Sequence, residues 1–231
     1  MSKPDLEKIL FLDIETVPLV YRYSDLNETL KGLWDRKWQN SRDVSPEDQY
    51  TKAGIYAEFA KVVCIGLGHY KDGRMNVFTI SSASERELLQ QFTDVLGRSF
   101  SSPQNLLCAH NGREFDFPFL CRRLIVNGMP LPRLLQIQGM KPWEVPHLDT
   151  MDMWKFGDYK SFSSLNLLAH IFGIPSPKDD IDGSQVSKTF YEDNDLPRIA
   201  EYCRRDVITL ARVYCRFAGV SLPADQDVIF A

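Results

Sequence analysis

No stretch of this 231-residue chain stays apolar long enough to span a bilayer. The N-terminus MSKPDLEKILFLDIE is polar and then briefly apolar with acids inside it, which makes a poor secretory leader. Five cysteines (Cys64, Cys108, Cys121, Cys203, Cys215) are scattered without a CxxC pair, mostly in apolar surroundings. They therefore read as reduced core residues of a cytoplasmic protein, and a disulfide or zinc framework is excluded. A phosphate-cradling GxxxxGK loop is missing too, which removes the P-loop class. Positive charge is scarce: 27 Lys and Arg against 31 Asp and Glu leave a net charge of −4. Proteins that coat duplex nucleic acid are usually basic. An acidic site that works through bound cations is still allowed, because the ions invert the local potential.

What is present reads as an α/β chain. KILFLDIE (8–15) is a compact apolar run that suits a central strand, and VVCIGLGHY (62–70) and MNVFTI (75–80) suit two more. Asp72-Gly73 between them predicts a tight hairpin, hence an antiparallel pair. Residues 85–97 have helical spacing with Ser84 placed to cap them, and NLLCAHN (105–111) reads as a fourth strand. FDFPFLCRRLIVNG (115–128) reads as a helix with Pro118 in its first turn. HLDTMDMWKF (147–156) suggests a short strand and a turn, and SSLNLLAHIFGI (163–174) a helix capped by Ser163 or Ser164. The last strong helix spans 195–218, with Asp195 as cap and Pro197 near its start. The expected architecture is a mixed central sheet flanked by helices. Between Pro18 and Phe59 the pattern is irregular and too long for an ordinary loop, so a partly helical insertion is expected there.

Acids stand inside these apolar segments, where an unpaired carboxylate is costly. Asp13 and Glu15 are two apart on a predicted strand and so share a face, while Ile14 points the other way. Asp116 follows HNGREF where a strand gives way to a helix, and Asp206 lies on the last helix one turn after Tyr202. Each has a bland reading alone: an acid pair at a strand end, an acid favouring a helix N-terminus, a Tyr–Asp surface pair. His110 reads as a packed or hydrogen-bonded histidine, and Arg204 and Arg205 as solvating an exposed face. Taken together, acids from strand ends and helices can converge on shared divalent ions. Such ions activate a water and stabilise the leaving oxygen of a phosphodiester. A phenol with a pKa of about 10 is a weak base at neutral pH, so orienting water is the safer role for Tyr202.

DIET, HNGREFD and YCRRD, in this order, resemble the three motifs of the DEDD superfamily of 3′–5′ exonucleases. Tyr202, where the other branch has histidine, places the resemblance in the tyrosine branch. Within it the contexts look most like the proofreading domain of family B DNA polymerases. The resemblance implies a ribonuclease-H-like three-layer fold and a single exonuclease domain over 1–231, with the insertion at about 18–59. It implies Asp13, Glu15, Asp116 and Asp206 as ligands of two Mg²⁺ ions, replaceable by Mn²⁺, and Tyr202 as the orienting phenol. Thr16 would lie near the terminal nucleotide, and Asn111 and Phe115 would border the strand-binding groove. The implied reaction is hydrolysis of the 3′-terminal phosphodiester of single-stranded DNA or a frayed 3′ end, releasing nucleoside 5′-monophosphates. An RNA-trimming enzyme and a catalytically silent nucleic-acid-binding module are the alternatives. Lys141, Lys160 and Lys178 are candidate phosphate contacts, each with a solvated surface role as its plainer reading.

Overall fold

A computed structural model of the protein describes residues 5–41, 44–158, 160–175 and 181–230. Lys178 lies outside the described residues. The strands are β1 (Ile9–Pro18), β2 (Ala60–Lys71), β3 (Arg74–Ser81), β4 (Leu106–Ala109), β5 (Leu148–Asp149) and β6 (Val228–Phe230). The helices are α1 (Glu28–Trp38), α2 (Pro46–Gln49), α3 (Glu85–Ser99), α4 (Asp116–Val126), α5 (Thr150–Lys155), α6 (Leu165–Ile171), α7 (Val186–Tyr191) and α8 (Leu196–Ala218). Among the described residues the strands form one sheet in the order β5-β4-β1-β2-β3-β6. Strand β2 runs antiparallel to β1 and β3, and the remaining neighbours are parallel. The sheet is mixed, as expected.

Asp72 and Gly73 both take positive φ, 50° and 76°, as the two-residue hairpin between β2 and β3 requires. Alternation along β1 divides the core into two layers. Leu10, Leu12 and Ile14 pack with Leu88, Leu89 and Phe92 of α3 and Phe117, Leu120 and Leu124 of α4. Ile9 and Phe11 pack with Val207, Leu210 and Tyr214 of α8. Helices thus cover both faces of the sheet, giving the three-layer, ribonuclease-H-like arrangement.

Two local expectations change. The segment after β5 is a helix, α5, rather than a turn, because the Asp149 carboxylate accepts from the backbone N–H groups of Met151 and Asp152 and nucleates it. At the far edge, β6 adds to β3, an element with too short an apolar run to be legible in sequence. The irregular 18–59 segment folds around Trp34, which is fully buried against Tyr50 and Phe59 at ring separations of 5.2 and 4.9 Å. Among the described residues no helix is long and apolar enough to cross a membrane.

Candidate active site

Strand β1 carries Asp13 and Glu15 on its α8-facing side, the side of Ile9 and Phe11. In register with Asp13 on β2 is Gly66, and two residues on is Gly68. A Cβ at Gly66 would lie 2.7 Å from Val207 Cγ2 and 2.9 Å from Cys203 Sγ; one at Gly68 would lie 2.7 Å from Val207 Cγ1. The two glycines therefore let α8 seat directly on the sheet. That contact delivers Cys203, Tyr202 and Asp206 to the acids of β1.

The Cys203 thiol lies 3.3 Å from Asp13 Oδ2 and donates to it. One ligand atom from each of Asp13, Glu15 and Cys203 falls within 4.8 Å of the others, so these three can hold a metal ion. Cys203 was expected only as core; its second contact follows from the α8 seat. Burial foremost, then contact with Cys64, pushes its thiol well above the usual range, so without a cation it is protonated and donates to Asp13.

The carboxylates strain against one another. Burial first, then the charges of Glu15, Asp206 and Asp116, push Asp13 well above the usual carboxylate range. Glu15, only 8% exposed, is pushed the same way by burial, Asp206, Cys64 and Asp116. Asp116, 4% exposed in the first turn of α4, is pushed up to about 7 by burial and by Asp149, although its own backbone N–H and that of Ile14 favour the charge. Among the described residues neither Asp13, Glu15 nor Asp116 forms an ion pair. Clustered buried acids without a cation are what a divalent ion relieves, so the donor set fits one. The all-oxygen part suits a hard cation.

Tyr202 is partly buried and hydrogen-bonded to Asp206. Burial and the charges of Asp206, Glu15 and Asp13 push its phenol far up, so it remains protonated at neutral pH. It can donate a hydrogen bond and orient a water. Arg204 and Arg205 both pair with Glu201 on the outer side of α8.

The loop before Asp116 is held by a residue that was not singled out. Asp149, 3% exposed at the end of β5, accepts from the backbone N–H of Asn111 and of Arg113, each at 3.0 Å, besides capping α5. Asn111 takes the left-handed conformation at φ 62°, and a Cβ at Gly112 would lie 2.4 Å from that of Ala109. With residues 147–156 read as a strand and a turn, neither this cap nor its reach back to residues 111–113 was visible in sequence. His110 bridges the Thr150 hydroxyl at 2.9 Å and the Ser163 carbonyl at 2.8 Å, the packed role expected of it. Phe115 packs on Phe119 at 5.3 Å, and the Thr16 hydroxyl donates to the Gly54 carbonyl at 2.7 Å. Of the predicted residues, Asp13, Glu15, Asp116, Tyr202 and Asp206 gather at this end of β1. Thr16 is engaged by the 18–59 segment.

Comparison with known proteins agrees with this geometry. Residues 55–227 match the family described as "Predicted 3'-5' exonuclease related to the exonuclease domain of PolB". That span includes Asp116, Tyr202 and Asp206, and the strand bearing Asp13 and Glu15 lies before it. Among solved structures, the chain resembles the family B DNA polymerase from the hyperthermophilic archaeon Pyrobaculum calidifontis, with 18% identity and a TM-score of 0.51 over 88% of this chain. The likeness covers 24% of that polymerase.

Proposed function

Because the chain belongs to the family of predicted 3′–5′ exonucleases related to the exonuclease domain of family B DNA polymerases, we propose that it is a metal-dependent 3′–5′ exonuclease of single-stranded DNA. The carrying observation is the meeting of Asp13, Glu15, Asp116 and Asp206, from three distant segments, close enough that each β1 acid feels the charge of the other clusters. Asp13, Glu15, Asp116 and Asp206 would hold Mg²⁺, or Mn²⁺ in its place. The bound ions would activate the attacking water and stabilise the departing 3′ oxygen.

The protein's own contribution is positional. The Cys203 thiol donates to Asp13 and favours its charged form. The Tyr202 phenol, kept protonated, orients the water beside Asp206. Asp149 holds the 111–113 loop and with it the first turn of α4, where Asp116 lies. Hydrolysis of the terminal phosphodiester releases a nucleoside 5′-monophosphate and leaves a chain shortened at its 3′ end.

The test follows 5′-labelled single-stranded DNA, RNA and a paired primer with Mg²⁺, Mn²⁺ or chelator, the Asp13→Ala variant run in parallel. Stepwise shortening of single-stranded DNA that disappears with chelator and in the variant is expected, with nucleoside 5′-monophosphate as product. Faster shortening of RNA would reassign the substrate. Activity surviving Asp13→Ala would remove the site assignment, and no shortening of any polymer would leave a silent binding module.

A further inference from the structure

The centre holds one donor that an all-oxygen ligand set leaves over. Cys203 is fully buried, and its Sγ lies 3.3 Å from Asp13 Oδ2 and 3.5 Å from the Asp13 carbonyl oxygen. Gly66 on β2 leaves the space that this sulfur fills, since a Cβ there would come within 2.9 Å of it. Donor atoms of Asp13, Glu15 and Cys203 all fall within 4.8 Å of one another. Of the three residues only Asp13 is partly exposed, which leaves an ion a way in.

Hard and soft cations meet this set differently. Mg²⁺ demands oxygen ligands in a near-octahedral shell, and a neutral thiol is a poor partner for it. Thiophilic ions such as Zn²⁺, Co²⁺ and Cd²⁺ take thiolate sulfur together with carboxylate oxygen. Zinc bonds of about 2.3 Å to sulfur and 2.1 Å to oxygen set two such donors roughly 3.6 Å apart across a tetrahedral angle. Cys203 and Asp13, at 3.3 Å, stand close to that spacing before any ion arrives. The place such an ion would take is the one now filled by the thiol proton, between Sγ and Oδ2.

Resting on the exonuclease reading and deepening it, we propose that Cys203 is a metal ligand that sets which ions this centre accepts. Thiophilic divalent ions are held by Asp13, Glu15 and the Cys203 thiolate. With Mg²⁺ the thiol keeps its proton and only donates to Asp13. Binding of a thiophilic ion exchanges the thiol proton, released to solvent, for a metal–sulfur bond, and nothing is oxidised or reduced.

The test takes the reduced, metal-free full chain with Co²⁺ or Cd²⁺ alone as the probe. Equimolar Co²⁺ should raise a near-ultraviolet sulfur-to-cobalt charge-transfer band. The band should vanish in Cys203→Ser and in Asp13→Asn, and persist in Cys64→Ser, which removes the neighbouring thiol. By calorimetry, Cys203→Ser should weaken Cd²⁺ binding about tenfold or more, the least that losing a ligand's hydrogen-bond partner costs. Its Kd for Mg²⁺ should stay within about twofold of the parent. No band in the parent, or a band that survives Cys203→Ser or Asp13→Asn, would overturn the proposal. So would an equal loss of Mg²⁺ affinity, which a displaced α8 would give. Hydrolysis with Mg²⁺ in a parent that shows no band would remove the sulfur ligand and leave the exonuclease reading standing. A band in a parent that hydrolyses nothing would overturn that reading and uphold the thiolate ligand.

Discussion

Asp116 shows how burial turns one carboxyl into a pH-dependent load on the fold. Its pKa is pushed up to about 7 in the metal-free protein, against about 3.9 in an unfolded chain. Between those values the native state keeps a proton that the unfolded state has released, so stability is full below about pH 4 and is lost as pH rises through about 7. Asp13 and Glu15 are displaced in the same direction and add to the slope. Asp116→Asn keeps a neutral group in place. It should reduce the fall in metal-free Tm between pH 5 and 8 by about 3 °C or more, read by thermal unfolding in chelator. An unaltered slope would mean that Asp116 is ionised throughout. Asp13, Glu15, Asp116 and Asp206 were all legible in sequence, because acids inside apolar runs stand out. Asp149 was not legible, since its bonds to Asn111 and Arg113 cross 38 and 36 residues.

At the scale of elements, the site depends on how closely α8 approaches β2. Gly66→Ala would put a methyl group 3.0 Å from the Cys203 carbonyl oxygen and closer still to Val207 and the thiol. The helix must lift, at about 1–3 kcal/mol, and Tyr202 and Asp206 lift with it. Urea unfolding should report that loss, and hydrolysis should fall in protein that is still fully folded. A variant as active as its parent would show that the helix repacks without moving these side chains. The amphipathic stripe and Asp195 cap made α8 readable as a helix, and the hairpin glycine made β2 and β3 readable as a pair. Nothing local marked Gly66 and Gly68 as a helix seat, since their meaning lies in Val207 and Cys203 far along the chain. Helix α5 was missed for a related reason: it has only six residues and owes its start to Asp149.

Across the whole molecule, one buried ion pair joins the layers and the 18–59 segment. Arg123 of α4 donates to Glu85 of α3 at 2.8 and 2.6 Å and to the Ala57 carbonyl at 2.7 Å, while Glu85 also accepts from Val62 of β2 at 2.8 Å. Glu85→Ala leaves Arg123 buried without its partner and should cost about 3–5 kcal/mol. Replacing both by leucine should cost clearly less, and equal urea midpoints for the single and double variants would contradict the coupling. The sequence by itself determined the order of strands and helices, the alternation that sends Ile14 inward and Asp13 and Glu15 to the other face, and the three separated acidic motifs. These are properties of period and residue type, written within a few neighbours. Tertiary structure decided that the motifs meet, that Cys203 joins Asp13, and that Asp149 holds the loop before Asp116. Each of these is a contact between residues distant in the chain, fixed by close packing of helix on sheet and by no local pattern.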